Sequence, residues 1–317
     1  MKYIPVVLLL ILISACLGAP STEPDPQTLP TSKPRVSFTF DDGITNDILH
    51  YRFEDWNKMI LDALDKEQVK AIFFVTGSNK LDEKGRYLLS SWNDWGHRIG
   101  NHTWSHPNFN AEDNTVAIFE RQLLQTNSVI SKYSNHIQRF RFPYLKEGNT
   151  EEKIAGIRTV MAANGYQNGH VTIDASDWYI NQRLIKKIRE VGEQAADIDA
   201  FRDFYLTHIL ERANYYESLS MQLNERHIPH TLLLHHNLTS ALFLDDLIEK
   251  FKSEGWEIVD APVAYEDEVY RIQPEIVPAG ESLIWSMAKA SGNYEELLRY
   301  PAEDSRYEQP VMDSLGL

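Results

Sequence analysis

Five short polar segments occur in chain order: Thr39-Phe40-Asp41-Asp42-Gly43, His102-Thr103-Trp104-Ser105-His106, Arg141-Phe142-Pro143-Tyr144, Asp174-Ala175-Ser176-Asp177-Trp178 and Leu233-Leu234-His235. Together they supply a metal site, a base, an acid and an orienting cation. Two histidines four residues apart, with one carboxylate from another loop, give three protein ligands and leave a position for water. That is the pattern of a catalytic rather than a closed structural zinc site. Asp41 and Asp42 leave the backbone in different directions, so one can bind an ion while the other works on the water. Pro107 disfavours helix at His106, and any helical turn holding the histidine pair must be short or distorted. Singly, each segment has an ordinary reading: Asp-Asp-Gly as a turn, His102 and His106 as exposed loop histidines, Arg141 as a surface arginine alternating with Arg139. Their joint occurrence points to chemistry.

As a set, the segments resemble those of the polysaccharide deacetylases, carbohydrate esterase family 4, whose shared module is the NodB-homology domain. The resemblance covers roughly residues 35 to 262. It implies that Asp42, His102 and His106 hold a divalent metal, zinc first, although the donor set also suits cobalt or nickel. It makes Asp41 the general base, oriented by Arg141, and the Tyr144 backbone N–H a donor to the developing oxyanion. Pro143 fixes the backbone before that donor. An amide's leaving nitrogen needs a proton, and His235 is the implied acid, with Asp174 hydrogen-bonded to it. His236 fits the same Leu-x-His pattern one residue later and is the alternative; the family's histidine closes its strand, which favours His235. Trp178, with Pro143 and Leu233, would form the substrate surface, Trp178 walling the acetyl methyl unless it is a core residue.

The implied reaction is hydrolysis of N-acetyl groups on a glycan. An O-acetyl polysaccharide esterase is the nearest enzymatic alternative, and a glycan-binding lipoprotein without chemistry is the non-enzymatic one.

To bring these segments together, the chain must place them at the ends of neighbouring strands, as β/α barrels do. Apolar and β-branched runs predict strands near 35–40, 69–75, 97–101, 137–142, 168–173, 231–235 and 256–259, and the intervening periodicity predicts helices over Glu54 to Leu64, Thr115 to Tyr133, Glu151 to Ala163 and Leu242 to Ser253. The expected fold is α/β, a distorted (β/α)7 barrel, which is also the family's. Two stretches exceed it. Residues 179–230 hold more helix than one crossover needs, including Phe201 to Leu223, and could wall the cleft or cap the barrel. The tail, 265–317, with a helix expected over Glu281 to Ala290, should dock on the barrel.

The chain opens with Lys2, an apolar stretch to Ile13, then Ile13-Ser14-Ala15-Cys16, which resembles a bacterial lipoprotein signal with its lipobox. The stretch falls short of the ~20 residues of a spanning helix, so a cleaved signal over 1–15 fits better. Cys16, the only cysteine, would carry the lipid, and no intrachain disulfide can form. Residues 16–34 read as a Pro/Ser/Thr-rich tether, 35–264 as the barrel and 265–317 as an extension. Leu17 favours an outer-membrane anchor facing the periplasm. A net charge of −15 argues against a nucleic-acid partner, which would demand a basic face, and 43% hydrophobic residues suffice for a core.

Overall fold

The computed structural model describes Met1 and residues 33–317; the expected signal, Cys16 and all of the tether before Lys33 lie outside the described residues. Among the described residues there are nine strands: β1 (Arg35–Asp42), β2 (Ile72–Val75), β3 (Arg98–Asn101), β4 (His136–Phe140), β5 (Lys146–Gly148), β6 (Gln167–Asn168), β7 (Pro229–His235), β8 (Glu257–Ile258) and β9 (Ala279–Gly280). The main helices are α1 (Phe53–Lys66), α2 (Glu83–Asp94), α3 (Val116–Ile130), α4 (Glu151–Ala163), α5 (Asp177–Val191), α6 (Ile198–Asn224), α7 (Leu238–Ser253), α8 (Ala261–Ala264), α9 (Leu283–Ser291) and α10 (Gln309–Leu315).

Seven strands form one parallel sheet in the order β6-β4-β3-β2-β1-β7, with β8 pairing the start of β1. An isolated bridge from Ile173 to Leu232 carries the stretch after β6 across to β7, so the sheet curls into an incompletely closed barrel. The strand expected over 168–173 is therefore split. Its first residues pair with β4, where Gly169 N–H donates to Phe140 O, and its last with β7, where Ile173 N–H donates to Thr231 O.

Period-two alternation in β1 explains both its burial and its chemistry. Val36, Phe38 and Phe40 are fully buried and face the helices, with Phe38 against Phe251 of α7 and Phe40 against Trp92 of α2. Ser37 and Thr39 face inward and donate to the carbonyls of His230 and Leu232. The inward series ends at Asp41. In β7 the same alternation turns Leu233 and His235 inward and His236 outward.

The helices follow sequence signals closely. Phe53, Trp56, Ile60, Leu61 and Leu64 make the buried stripe of α1. Asp82, Thr115 and Thr150 cap α2, α3 and α4 through side-chain oxygens that accept from Gly85, Ile118 and Lys153 N–H, worth roughly 1 kcal/mol each. The long extra segment is α5 followed by the 27-residue α6, which packs on α5, α7 and α9. The tail docks on the same body: β9 pairs antiparallel with β5, and Leu283 N–H donates to Val171 O at 2.7 Å.

Candidate active site

Asp41, Asp42, His102, His106, Tyr144, Trp178 and His235 line one cavity of about 430 Å³ at the C-terminal ends of the strands, completed by Phe142, Leu145, Gln182 and Glu303. All five segments reach it. Pro143 and Leu233 do not line it: Pro143 is buried at the start of a single helical turn, and Leu233 packs beneath the floor with Leu145, Val171 and Ala302. The expected substrate contact passes instead to their neighbours Phe142, Tyr144 and Leu145.

A regular strand would send Asp41 and Asp42 to opposite faces. Asp42 has a left-handed φ of 76°, which turns its carboxylate to the cavity as well. Its Oδ1 stands 3.7 Å from His102 Nε2 and 3.5 Å from His106 Nε2, and the three donor atoms lie within 4.8 Å of one another. No helical turn carries the histidines. They sit in a loop with left-handed Thr103 and His106, held by His106 N–H to Thr103 Oγ1 at 3.0 Å and Thr103 N–H to Asn101 Oδ1 at 3.0 Å. His102 Nδ1–H donates to Arg141 O at 2.9 Å, fixing the tautomer that leaves Nε2 free as a ligand. Burial and His106 keep His102 neutral, well below its usual pKa. Burial alone would raise Asp42, but His235, His106, His102 and Lys80 outweigh it and keep the carboxylate ionised. Two neutral imidazoles and one carboxylate fit a divalent ion of the zinc type.

Asp41 is held otherwise. Its Oδ1 accepts from Arg141 Nη1 at 2.7 Å, and Arg141 is fully buried. The same guanidinium donates to Thr39 Oγ1, Gly169 O and Tyr265 Oη and lies over the Phe74 ring at 4.0 Å. Room for that ring comes from Gly100 and Gly169, where a Cβ would meet Phe74 carbons at 2.6 Å. Burial pushes the Asp41 carboxyl up to about 6 against the pull of Arg141 and His235, with Asp42 adding to the rise. A carboxylate of that strength, oriented by a cation and 3.7 Å from His102 Nε2, can take a proton from water near neutral pH.

On the far wall His235 Nδ1 pairs with Asp177 Oδ1 at 2.6 Å, while Asp177 Oδ2 accepts from His235 N–H and from Asn237 Nδ2. The expected Asp174–His235 bond is not formed. Asp174 accepts from the backbone N–H groups of Ser176 and Glu303. The left-handed turn at Ser176 starts α5, so the first helical residue, Asp177, and not Asp174, points back at the end of β7. Burial alone would lower His235, but Asp177, with Glu303 and Asp42, outweighs it and holds the imidazole protonated well above its usual range. His236 lies on the opposite face, buried against Trp56 at 4.3 Å with Nε2 bonded to Asn57 Oδ1. Trp178 stands in the cavity wall rather than in the core, its indole N–H buried without a partner. Tyr144 is left-handed (φ 56°), its ring 4.6 Å from that of His106.

Asp177, Gln182 and Glu303 were not expected at the site from the sequence, although Asp177 lies within the fourth segment. Asp177 directly precedes Trp178, and Asn237 follows His235 by two, the only local hints of the pairing; nothing near Glu303 signals it. A second cavity of about 420 Å³ between α6 and the tail, lined by Arg212, Tyr215 and Tyr300 among others, is reached by none of the five segments.

The family described as polysaccharide deacetylase matches residues 28–168. A peptidoglycan-N-acetylglucosamine deacetylase of Bacillus cereus is 35% identical over 116 residues, covering 36% of this chain and 38% of that protein. A chitooligosaccharide deacetylase of Sinorhizobium fredii is 30% identical over 150 residues, covering 47% of this chain and 61% of that protein. The chain thus spans about two fifths to three fifths of the length of these relatives. In fold it is similar to the chitin deacetylase of Colletotrichum lindemuthianum, with a TM-score of 0.51 at 19% identity over 74% of this chain and 89% of the other. With the five segments converging on one cavity of a curled α/β barrel, the chain is similar to the polysaccharide deacetylases, by sequence over residues 28–168 and by fold over 74% of its length.

Proposed function

We propose that the protein is a metal-dependent deacetylase that hydrolyses N-acetyl groups of a glycan containing N-acetylglucosamine, releasing acetate. The observation that carries this is the convergence in one cavity of three ligand atoms within 4.8 Å, an arginine-held carboxylate and an aspartate-held histidine. Asp42, His102 and His106 would hold a divalent ion, zinc by the donor set. Bound there, the ion supplies Lewis-acid polarisation and acidifies water. Asp41 takes the water's proton, and Arg141 keeps its carboxylate aimed. The Tyr144 N–H donates to the carbonyl oxygen as charge grows there. His235 delivers a proton from Nε2 to the leaving nitrogen while Asp177 stabilises the imidazolium. Trp178 and Leu145 give the acetyl methyl an apolar wall.

The names of the relatives support an amino-sugar polymer. Acetate release should be measured on N-acetylglucosamine oligomers, peptidoglycan and acetylated xylan, with zinc, with cobalt and after chelation. Zinc-dependent release from an N-acetylated polymer is expected; release from acetylated xylan alone would replace this reading by the esterase, and metal-independent glycan binding without release by the lipoprotein that does no chemistry. We further propose lipidation at Cys16 and an outer-membrane anchor facing the periplasm, supported by the lipobox-like Ile13-Ser14-Ala15-Cys16. Mass spectrometry of membrane-extracted protein should find the acyl adduct on Cys16, and a wild-type mature chain beginning well after Cys16 would exclude it.

A further inference from the structure

The tail contributes one side chain to the cavity that none of the five segments contains. Glu303 is 11% exposed in its side chain, and its Oε1 stands 4.0 Å from His235 Nε2. Among the described residues no lysine or arginine pairs with it. Its backbone is anchored on both sides: Glu303 N–H donates to Asp174 Oδ2, and Asp304 N–H donates to Ser176 Oγ at 3.2 Å. Upstream, Tyr216 Oη donates to Tyr300 O at 2.7 Å, and downstream Arg212 pairs with Glu308 at 2.8 Å. The carboxyl is thus placed in the cavity by built contacts of α6 and of the segment before α5. Asp174, freed from His235, has a role in this arrangement as the acceptor that fixes Glu303.

Because Asp177 occupies Nδ1 of His235, the proton for the leaving group must come from Nε2. The leaving atom therefore comes within about 3 Å of Nε2, and two polar atoms 4.0 Å apart leave room for a third within hydrogen-bond reach of both. In an acetamide that atom is a nitrogen carrying a hydrogen. In an acetate ester it is an oxygen carrying none.

We propose that Glu303 accepts a hydrogen bond from the acetamido N–H of the substrate and thereby selects N-acetyl over O-acetyl groups. This rests on the deacetylase reading above. With an ester, the carboxyl oxygen faces another acceptor and stays unpaired, and a buried unpaired polar group is where large discrimination comes from. Burial and the neighbouring Asp174 carboxylate raise the Glu303 pKa well above its usual range, and in either protonation state one oxygen remains an acceptor.

The test compares Glu303→Ala and Glu303→Gln with wild type, each loaded with zinc, on an N-acetyl chitooligosaccharide and an O-acetylated xylooligosaccharide. Both substrates expel a poor leaving group that needs the proton of His235, so a Glu303 acting only through that histidine would depress both alike. The expected result is that Glu303→Ala lowers the ratio of kcat/KM for N-acetyl over O-acetyl by about tenfold or more, with bound zinc unchanged. Glu303→Gln, whose amide oxygen still accepts, should keep most of that ratio. Where wild type spares the ester altogether, the loss of N-acetyl hydrolysis in Glu303→Ala and its recovery in Glu303→Gln decide. An unmoved ratio, equal loss on both substrates, or a Gln variant as impaired as Ala would overturn the proposal while leaving the deacetylase reading intact. A zinc-loaded wild type that releases acetate from neither substrate would remove both.

Discussion

The two walls of the cavity are built in different ways. The metal wall comes from the C-terminal ends of β1 and β3, which flank β2: Asp42 ends the first, His102 and His106 lie in the loop that follows the second, and left-handed backbone at Asp42, Thr103 and His106 holds them. The acid wall is assembled across the chain. His235 ends β7, Asp177 begins α5, and Glu303 arrives from the tail, with Asp177 and His235 separated by 58 residues. A wall built from strand ends needs only local backbone strain to aim its side chains, whereas the acid wall depends on helices and the tail docking correctly. Damage to the first should cost the ion, and damage to the second should spare the ion and cost proton delivery or the choice of substrate.

The largest effect is expected on the metal wall. His106→Ala removes one of three ligands and should abolish stoichiometric zinc binding, with acetate release falling on the order of 10³-fold or more. Full metal occupancy in that variant, measured by inductively coupled plasma mass spectrometry, would mean the ion sits elsewhere. On the acid wall, His235→Ala should keep its zinc and lose N-deacetylation by about 10²–10⁴-fold. Hydrolysis of an aryl acetate, whose phenolate departs with little help, should fall far less. Parallel losses on the two substrates would show that His235 does more than protonate the leaving group.

A smaller effect separates Asp177 from Asp174 through pH. The folded-state pKa of His235 is raised, so the acid is present at low pH and activity is lost as pH rises through that value. Asp177→Asn removes the negative charge that sustains the imidazolium and should shift the alkaline limb of kcat/KM to lower pH. Asp174→Asn should leave that limb nearly in place, and the reverse pattern would restore Asp174 as the partner. Smallest in activity is His236→Ala. It loses a buried ring packed on Trp56 and Phe73 and the bond to Asn57, so thermal unfolding should show a loss on the order of 2 kcal/mol. The amide-to-ester ratio should hold, since the ring faces the helices.

The same division explains what could be read in the sequence. Strand ends and the grouping of Asp42, His102 and His106 were legible because each lies in a short run where residue type and period carry the signal: β1 alternates up to Asp41, and α4 spans the expected Glu151–Ala163. The choice between Asp174 and Asp177 was not legible, because it turns on one left-handed residue, Ser176, a conformation that a serine seldom adopts and that its residue type does not signal. The split of the strand over 168–173 depends on tertiary pairing of Gly169 with β4 and Ile173 with β7. Glu303 was invisible for a plainer reason: a lone glutamate in a polar tail acquires meaning only from the fold that brings it beside His235.

The central claim is that two adjacent carboxylates, turned to one cavity, divide the work of holding an ion and moving a proton. Zinc stoichiometry and acetate release from an N-acetylglucosamine oligomer, measured together on wild type, Asp41→Asn and Asp42→Asn, test it most directly. Wild type and Asp41→Asn should each bind one zinc, Asp42→Asn should bind none, and wild type alone should release acetate at an appreciable rate. An empty Asp41→Asn beside a loaded Asp42→Asn, or undiminished release by metal-free wild type, would contradict the account.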